Sequence, residues 1–392
     1  MLLSTLSQRV EDLCIEFQRC FACPPQAVVR APGRVGLIGG HVDFSEGFVM
    51  PAAVDRDVLV AIATNTSKQI TVFSVNFQEF SAFDFSQIEL SGEHPWSNYV
   101  RGVVVELKKL GITVPGLTLA VQGTVPMGTG LSSSAAIEVA TALAILEVMG
   151  DKMAPLDIAR LCQRAENNFV GVRSGIMDQF ASLMGEEGKA LFLDCRSMVF
   201  DYVDIPEGIS IVVADSKKPR SLSKLAEYNK RRIEVETALA TLREYLPGIR
   251  ALRDVSLEEL AKYEENLDRA SRGRARHVVG EIARVQQAAQ YLSEGNVEDF
   301  GLLLNASHSS SRQHYESSCA ELDWLQETAV GISGCIGSRL TGAGFGGCTV
   351  SLVWEDAVKS FKQQLTAGFT EKAGYPPDIF VMATSNGAGR VR

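Results

Sequence analysis

A dense group of glycine and serine residues lies in the first half of the chain. Residues 125–139 read Val-Pro-Met-Gly-Thr-Gly-Leu-Ser-Ser-Ser-Ala-Ala-Ile-Glu-Val, and helix-compatible residues continue to Met149. The free N–H groups of a first helical turn, together with the helix dipole, attract phosphate. Gly128 and Gly130 allow close backbone approach because they carry no Cβ. The serines can cap the helix or offer hydroxyl groups to phosphate or a metal ion. The segment therefore predicts a phosphate-binding turn between a strand over 117–121 and a helix.

This turn differs from two common catalytic motifs. No Gly-Lys-Ser/Thr follows the glycines, so the segment is not a Walker A loop. Gly-x-Ser-x-Gly is absent from it, so it is not a nucleophile elbow either. A plain helix N-cap remains the alternative that this segment alone leaves open.

A second glycine-rich stretch, residues 30–51, contains five glycines together with Arg34, His41 and Asp43. Glycines at this density permit turns that bring backbone and side chains to a small ligand. An isolated histidine is more often structural than catalytic, but His41 lies two residues before an aspartate among turn residues. That context raises the expectation of a functional role.

Further candidates lie later in the chain. We expect Glu166 on a helix over 156–169, and Asp178 follows the turn at Gly175. A helical glutamate is commonly solvated, and an aspartate after a glycine is commonly a helix cap. A third glycine-rich stretch over 339–350 leads into a strand.

Composition excludes several classes of protein. The chain has 392 residues, 46% of them hydrophobic and 22% charged, as in an ordinary globular protein of two or three domains. Its net charge of −9 argues against non-specific nucleic-acid binding. No uncharged apolar stretch reaches the ~20 residues of a membrane span, and no signal peptide is evident, so we expect a cytoplasmic protein. Cys20-x-x-Cys23 lacks a second ligand pair for zinc, so we interpret the eight cysteines as incidental thiols.

The three glycine-rich stretches resemble, in order, the motifs of the GHMP kinases. Residues 33–44 resemble the galactokinase signature, in which Gly-Arg-Val-Asn-Leu-Ile-Gly-Glu-His-Thr-Asp-Tyr is typical. Here Gly36, Gly40 and Phe44 stand where Asn, Glu and Tyr are usual. Gly-Ile-Met-Asp-Gln at 175–179 resembles the segment that bears the catalytic aspartate. The chain is therefore identified as a member of the galactokinase family of GHMP kinases.

Two smaller departures from the family pattern lie outside that signature. Ser174 replaces a usual cysteine, and Ala343 replaces a frequent glycine. We interpret both changes as minor.

The resemblance implies an α+β, two-lobed GHMP kinase fold with the site between the lobes. The N-terminal ATP-binding lobe, residues 1–205, is expected to be ribosomal-protein-like. The C-terminal lobe, residues 206–392, is expected to be ferredoxin-like.

It also implies roles for individual residues. The expected catalytic residues are Asp178, facing the anomeric hydroxyl, and Arg34, which keeps that carboxylate ionised and stabilises the transferring charge. The sugar-binding residues are expected to be Gly40, His41, Asp43, Gly175 and Tyr228. The ATP-binding residues are expected to be Trp96, Gly128, Gly130, Leu131, Ser132, Ser133, Ser134, Ala135 and Gly344. Ser134 and Glu166 are expected to hold Mg²⁺.

The implied reaction is ATP-dependent phosphorylation of the anomeric hydroxyl of D-galactose. We expect a monomer whose partners are sugar and ATP, with no nucleic acid or membrane. Gly40 removes an acceptor and a negative charge near C6 of the sugar and is expected to open space. Losing one such hydrogen bond costs about 0.5–3 kcal/mol, so L-arabinose and galacturonate stay open as alternative acceptors.

Two further alternatives are less favoured. A non-catalytic galactose sensor is opposed by the presence of Asp178, Arg34, Glu166 and Ser134. Another GHMP kinase, such as a mevalonate kinase, is disfavoured by His41-x-Asp43 and by Gly-Ile-Met-Asp-Gln.

Overall fold

Two β-sheets and eleven α-helices form the described part of the chain. The computed structural model describes residues 5–126, 128–218 and 223–392. The strands are β1 (Ala27–Ile38), β2 (Phe48–Asn65), β3 (Gln69–Ser74), β4 (Glu79–Asp84), β5 (Gly116–Gly123), β6 (Lys189–Asp194), β7 (Phe200–Asp204), β8 (Ile209–Asp215), β9 (Cys335–Leu340), β10 (Cys348–Trp354), β11 (Asp378–Met382) and β12 (Gly389–Arg390). The helices are α1 (Leu6–Phe21), α2 (Asn98–Lys109), α3 (Ser133–Met149), α4 (Pro155–Arg164), α5 (Met177–Met184), α6 (Ser223–Arg243), α7 (Leu257–Tyr263), α8 (Arg269–Ser293), α9 (Val297–Ser310), α10 (Ala320–Val330) and α11 (Val358–Ala373).

The first sheet positions the glycine-rich turn. Its strand order is β12-β1-β2-β5-β3-β4, with β6 and β7 attached through β2, and only β3 and β5 pair in parallel. Helix α3 packs against β1 and β2 and is buried on nearly every side. Its run of alanines suits that position, because small apolar side chains let a helix be surrounded by neighbours. The N-terminus of α3 is thereby fixed at one end of the sheet.

The second sheet is antiparallel, in the order β11-β8-β10-β9. Numbered from β8, this is the 4-1-3-2 order of a ferredoxin-like sheet, so the predicted two-lobed α+β fold is confirmed. Side chains alternate along β8, as period-two geometry requires. Val212 packs with Phe361 and Leu365 of α11, whereas Val213 faces the core cluster that includes Phe300 of α9.

The proposed boundary at residue 205 falls between β7, in the first sheet, and β8, in the second. The C-terminal end of the chain then returns to the first sheet. Thr384 pairs with Val54, and Arg390 of β12 pairs with Val29 of β1. A division into two continuous segments therefore remains a proposal, with the last strand belonging to the first sheet.

Most predicted elements are present, with shifted ends. Strand β1 runs into the glycine-rich stretch 30–51 and extends to Ile38, with irregular pairing between Pro32 and Arg34. The helix predicted over 156–169 is α-helical to Arg164 and continues as a π-helical turn, Ala165–Val170. The sequence did not predict strands β4, β6, β7, β9 and β12. None of the described helices is long and apolar enough to cross a membrane.

A close contact between α9 and β9 gives a test of the packing. A Cβ added to Gly301 would lie 2.0 Å from the carbonyl oxygen of Ile336. Alanine normally gains about 1 kcal/mol over glycine inside a helix. Here we expect Gly301→Ala instead to lower the free energy of unfolding by about 1–3 kcal/mol, because the helix must move off the strand. Urea unfolding measures the change.

Gly280→Ala is the matched control, because the nearest atom to an added Cβ is the flexible Nη1 of Arg284, one turn along the same helix, at 3.2 Å. We expect this variant to be neutral or slightly stabilising. Equal stability of both variants would contradict the predicted close packing.

Candidate active site

The three glycine-rich stretches meet through their backbones. Arg34 of the stretch 30–51 donates from its backbone N–H to the carbonyl of Leu131 in the stretch 125–139, at 3.1 Å. Gly130 has a φ of +88°, and a Cβ there would lie 2.9 Å from the carbonyl oxygen of Thr341 in the third. Gly342, with a φ of +77°, packs in turn on Gly130. A side chain at either position would push the stretches apart. Glycine is therefore required both because the backbones lie in contact and because φ is positive at both positions.

Asp178 lies where these stretches converge, in the first turn of α5. One carboxylate oxygen accepts hydrogen bonds from Arg34, from Nε at 2.8 Å and from Nη2 at 2.6 Å. The other accepts from the hydroxyl of Ser132 at 2.5 Å. Arg34 also donates from Nη1 to the carbonyl of Gly130 at 2.6 Å. The Arg34 side chain is 5% exposed and that of Asp178 is 23% exposed, so the carboxylate, rather than the guanidinium, is open to a substrate.

The contact of Ser132 corrects one expectation. Ser132 occupies the N-cap position of α3, but its side chain makes no capping hydrogen bond. Its φ of 59° is left-handed, which is uncommon for a serine, and its hydroxyl points to Asp178 instead. The residue thus joins the phosphate-binding turn to the candidate catalytic carboxylate, a partner that sequence alone does not reveal.

Asp43 and Gly175 lie against each other beside Asp178. A Cβ on Gly175 would lie 1.9 Å from the Asp43 carboxylate, so only glycine fits. Asp43 accepts from the backbone N–H of Phe44 at 3.0 Å. Burial and the nearby Asp178 raise the pKa of Asp43. The structure therefore brings two of the predicted sugar-binding residues to the predicted catalytic carboxylate.

His41 lies in the same region, with a left-handed φ of 60°. Its ring stacks on Tyr315, with centroids 4.3 Å apart, and lies 5.7 Å from that of Tyr228. Burial, with smaller contributions from His277 and Arg339, lowers the pKa of His41 to about 3, so the ring is neutral. Its Nε2 is buried and has no hydrogen-bond partner among the described residues, which leaves one position for a ligand or a water molecule.

Helix α8 holds the backbone that precedes His41. Oε1 of Glu281 accepts from the N–H groups of Gly39 and Gly40, at 3.0 and 3.3 Å. Nε2 of His277 donates to the carbonyl of Gly40 at 3.0 Å. Sequence reasoning missed both side chains as parts of the site, because they lie about 240 residues from the loop that they hold.

The surroundings of Gly40 correct a second expectation. A Cβ on Gly40 would lie 2.6 Å from Nη2 of Arg339, so the guanidinium fills the direction that a side chain would take. Arg339 is fully buried and donates to the carbonyls of Gly36 and Leu37, both at 3.3 Å. The expectation that glycine opens space in that direction is therefore wrong, because the Arg339 guanidinium, whose Nη2 lies 3.8 Å from the Glu281 carboxylate, occupies it.

The predicted magnesium ligands lie together. Glu166 is buried in the π-helical turn, and its carboxylate is hydrogen-bonded by Ser134, by Ser174 at 2.5 Å and by Gln179 at 3.1 Å. Burial and Asp178 raise the pKa of Glu166 despite these bonds. In the part of the chain that the structure describes, buried oxygens of Gln179 and Glu138 have no hydrogen-bond partners. Hard oxygen donors of this kind fit Mg²⁺, which also keeps water and phosphate ligands.

No cluster of three or more metal-binding side chains occurs in the described ranges. Ser174, interpreted above as a minor change, supports Glu166 directly.

The remaining predicted nucleotide residues differ in how closely they join the site. Gly344, with a φ of +80°, packs against the carbonyl of Ser317, and Ala135 is buried in α3. Trp96 lies before α2, where its indole N–H donates to Glu79 at 3.1 Å and its ring stacks near Phe77. No hydrogen bond or ring contact joins Trp96 to the glycine-rich turn within the ranges that the structure describes.

Comparisons with known proteins agree with this geometry. Three family models match: GHMP kinases N terminal domain over residues 98–186, Galactokinase galactose-binding signature over residues 15–64, and GHMP kinases C terminal over residues 288–371. A galactokinase of Roseiflexus sp. (strain RS-1) is 43% identical over 97% of both chains. The crystal structure of Lactococcus lactis galactokinase complexed with galactose is 34% identical, with a TM-score of 0.93, covering 97% of this chain and 99% of that one. Methanococcus jannaschii mevalonate kinase, 18% identical with a TM-score of 0.63 over 92% of this chain and 98% of its own, shares the fold.

The buried imidazoles predict how stability depends on pH. The pKa of His41 is lowered to about 3 and that of His277 to about 4, chiefly by burial, from an ordinary value of 6.5. Between 6.5 and these folded values the unfolded chain binds more protons than the folded chain. The free energy of unfolding should therefore fall as pH drops through this window, by about 1.4 kcal/mol per pH unit for each imidazole. Urea unfolding at about pH 7 and about pH 5 measures this slope.

His277→Gln is the informative variant, because an amide can still donate to the Gly40 carbonyl but does not titrate. We expect roughly half of the slope to remain, carried by His41. An unchanged slope would show that His277 does not contribute as proposed.

Proposed function

The chain belongs to the galactokinase family of GHMP kinases, and from this membership we propose that it transfers the γ-phosphoryl group of ATP to the anomeric hydroxyl of D-galactose. It is a kinase, a phosphotransferase with an alcohol group as acceptor. The observation that carries the proposal is the Asp178 carboxylate, held by Arg34 and Ser132 beside Asp43. This carboxylate lies between the phosphate-binding turn and the candidate sugar residues, as a transfer between two bound substrates requires.

The turn from Gly128 to Ala135 would bind the phosphates of ATP. The N-terminus of α3 offers free N–H groups and a positive dipole end, which support this role. Within the turn, Gly128, Gly130, Leu131, Ser133 and Ser134 would lie along the phosphates, Ser132 would join the turn to Asp178, and Gly344 of the stretch 339–350 would close over them. Trp96 is proposed to lie near the adenine base on the resemblance alone.

The sugar would bind against His41, Asp43, Gly175 and Tyr228. The unpartnered Nε2 of the neutral His41 supports a hydrogen bond to a sugar hydroxyl. The carboxylate of Asp43, fixed by contact with Gly175, would accept hydrogen bonds from neighbouring hydroxyls.

Asp178 would receive the hydrogen bond of the anomeric hydroxyl and orient its oxygen toward the γ-phosphorus. Arg34 would offset the charge of this carboxylate and stabilise charge on the transferring group. Ser134 and Glu166 would hold Mg²⁺, which neutralises charge on the phosphate oxygens when bound.

We also propose that the protein works as a cytoplasmic monomer whose partners are sugar and ATP. This part of the proposal rests on the family resemblance. The net charge of −9 supports the absence of a nucleic-acid partner.

A specific observation keeps acidic sugars as a second candidate class. Arg339 lies beside position 40, where relatives are expected to carry a glutamate, so glycine leaves this buried cation with the Glu281 carboxylate, at 3.8 Å, as its anionic neighbour. Galacturonate carries a carboxylate that such a cation would attract. L-arabinose has no C6 group, so it would lose no hydrogen bond from the absence of a glutamate at position 40. A silent sensor is disfavoured because Asp178, Arg34, Ser134 and Glu166 lie together.

A substrate panel tests the proposed reaction. A coupled assay of ATP consumption with Mg²⁺ would compare D-galactose, L-arabinose, D-galacturonate, N-acetylgalactosamine and D-glucose. We expect the highest kcat/KM for D-galactose and no turnover by Asp178→Asn, which keeps the shape but loses the carboxylate. A higher kcat/KM for galacturonate would make Arg339 the determinant of substrate choice. If no sugar were turned over while galactose raised the melting temperature, the protein would be a sensor.

Adjacent serines separate positioning of Asp178 from binding of ATP. Ser132→Ala removes the hydroxyl that donates to Asp178 at 2.5 Å. A hydrogen bond to a charged group is worth about 1.5–3 kcal/mol, so we expect kcat to fall by about tenfold or more. Ser133→Ala, one residue later in the same turn, should instead raise the KM for ATP and leave kcat nearly unchanged. Steady-state kinetics distinguishes the two, and identical profiles would contradict the assigned roles.

A further inference from the structure

A cavity of about 650 Å³ lies beside the proposed sugar site. Asp43 and Gly175 form part of its wall, as does Ser174, which bonds Glu166, and most of the rest comes from residues to which the proposed reaction assigns no role. These residues lie on α4, on the π-helical turn, near residue 196 and on α6. The volume is in the range of small-molecule sites, so the cavity is large enough for a ligand of its own.

The charge of the cavity is its main chemical feature. Four arginines line it, Arg160, Arg173, Arg196 and Arg232, and Asp43 is the one acidic residue in the described lining. The lining therefore favours an anion.

The arginines are only partly compensated by their neighbours. Arg173 and Arg232 share a single carboxylate, that of Glu236, at 2.8 and 3.0 Å. Nη2 of Arg196 is buried without an acceptor, although its other nitrogens pair with carboxylates. Arg160 is exposed and makes no hydrogen bond or ion pair within the described ranges. Arg160 thus has free donors to offer at the cavity, whereas the unpaired Nη2 of Arg196 lies beneath the surface.

The remaining polar lining specifies a ligand with several acceptor oxygens. Gln163, Asn167 and Asn168 supply side-chain amides, which donate hydrogen bonds without adding charge. Guanidinium groups bind phosphate through paired N–H donors. Arg232 also lies over the ring of Phe44, 4.2 Å from its centroid, so it is held in place rather than mobile in solvent.

We propose that this cavity is a binding site for a small phosphate-bearing ligand, separate from the nucleotide turn, and that its occupancy weakens binding of the acceptor sugar. The coupling rests on the proposed function. Gly175 has no free space toward Asp43, so a ligand that moves this wall also moves the carboxylate. An anion bound beside Asp43 would also disfavour the ionised form of this carboxyl group, which is the form that accepts hydrogen bonds from sugar hydroxyls.

Isothermal titration calorimetry of the full chain tests the site itself. Orthophosphate and galactose 1-phosphate would be titrated separately, with saturating galactose and a non-hydrolysable ATP analogue to fill both substrate sites. We expect at least one of the two ligands to bind, and we expect Arg160→Gln to weaken that binding about tenfold, because a charge-assisted hydrogen bond is lost. Binding of orthophosphate assigns the site to free phosphate, whereas binding of galactose 1-phosphate alone assigns it to a phosphorylated sugar.

Arg269→Gln, a change to an exposed arginine on α8, is the matched control and should bind as the unaltered chain does. Loss of all binding once the substrate sites are filled would overturn the proposal, as would equal affinity in Arg160→Gln. The titration measures binding rather than product, so its result is readable even if galactose is not the acceptor.

Kinetics tests the coupling. At matched ionic strength, the bound phosphate ligand should raise the KM for sugar severalfold and leave the KM for ATP unchanged. Arg160→Gln should have the unaltered KM for sugar without the ligand and lose this shift. An equal shift in both proteins would contradict coupling through this cavity, whatever the reaction turns out to be.

Discussion

The guanidinium of Arg34 is the contact on which the arrangement of the site depends. It donates to the Asp178 carboxylate and to the Gly130 carbonyl, and so joins β1, the phosphate-binding turn and α5. A nearly buried guanidinium is costly unless its donors are used, and breaking such a pair commonly costs 3–5 kcal/mol. The same ion pair therefore stabilises the convergence of the three segments and fixes the carboxylate that faces the substrates.

The acceptor side of the site depends on a second contact, made by the C-terminal half of the chain. Glu281 binds the N–H groups of Gly39 and Gly40, and His277 binds the Gly40 carbonyl. Burial alone would raise the pKa of Glu281, but neighbouring arginines lower it to about 2, so the carboxylate that binds these N–H groups is ionised. Because backbone N–H groups and a backbone carbonyl of this loop are both hydrogen-bonded, the loop can keep His41 in its left-handed conformation. The proposed sugar site is thus assembled from both lobes.

Local signals predicted much of this structure, and long-range contacts account for what they missed. The glycines, the alanine-rich helix α3 and the alternating strands follow from backbone freedom and periodicity, and the resemblance identified Asp178 and Arg34. The hydroxyl of Ser132 could not be assigned from its neighbours in sequence, because its partner lies 46 residues away. Arg339, about 300 residues from Gly40, fills a space that the sequence suggested would be open. Spacing along the chain carries no information about such contacts.

The site also concentrates groups that the protein alone leaves unsatisfied. Burial raises the pKa values of Asp43 and Glu166, and Nε2 of His41 has no partner. Each of these costs folding free energy, because a buried polar group without a partner forfeits its interactions with water. A sugar hydroxyl at His41 and a cation at Glu166 would supply what is missing. The same residues that make the unliganded fold less stable can therefore give the bound state its affinity, since binding recovers interactions that folding gave up.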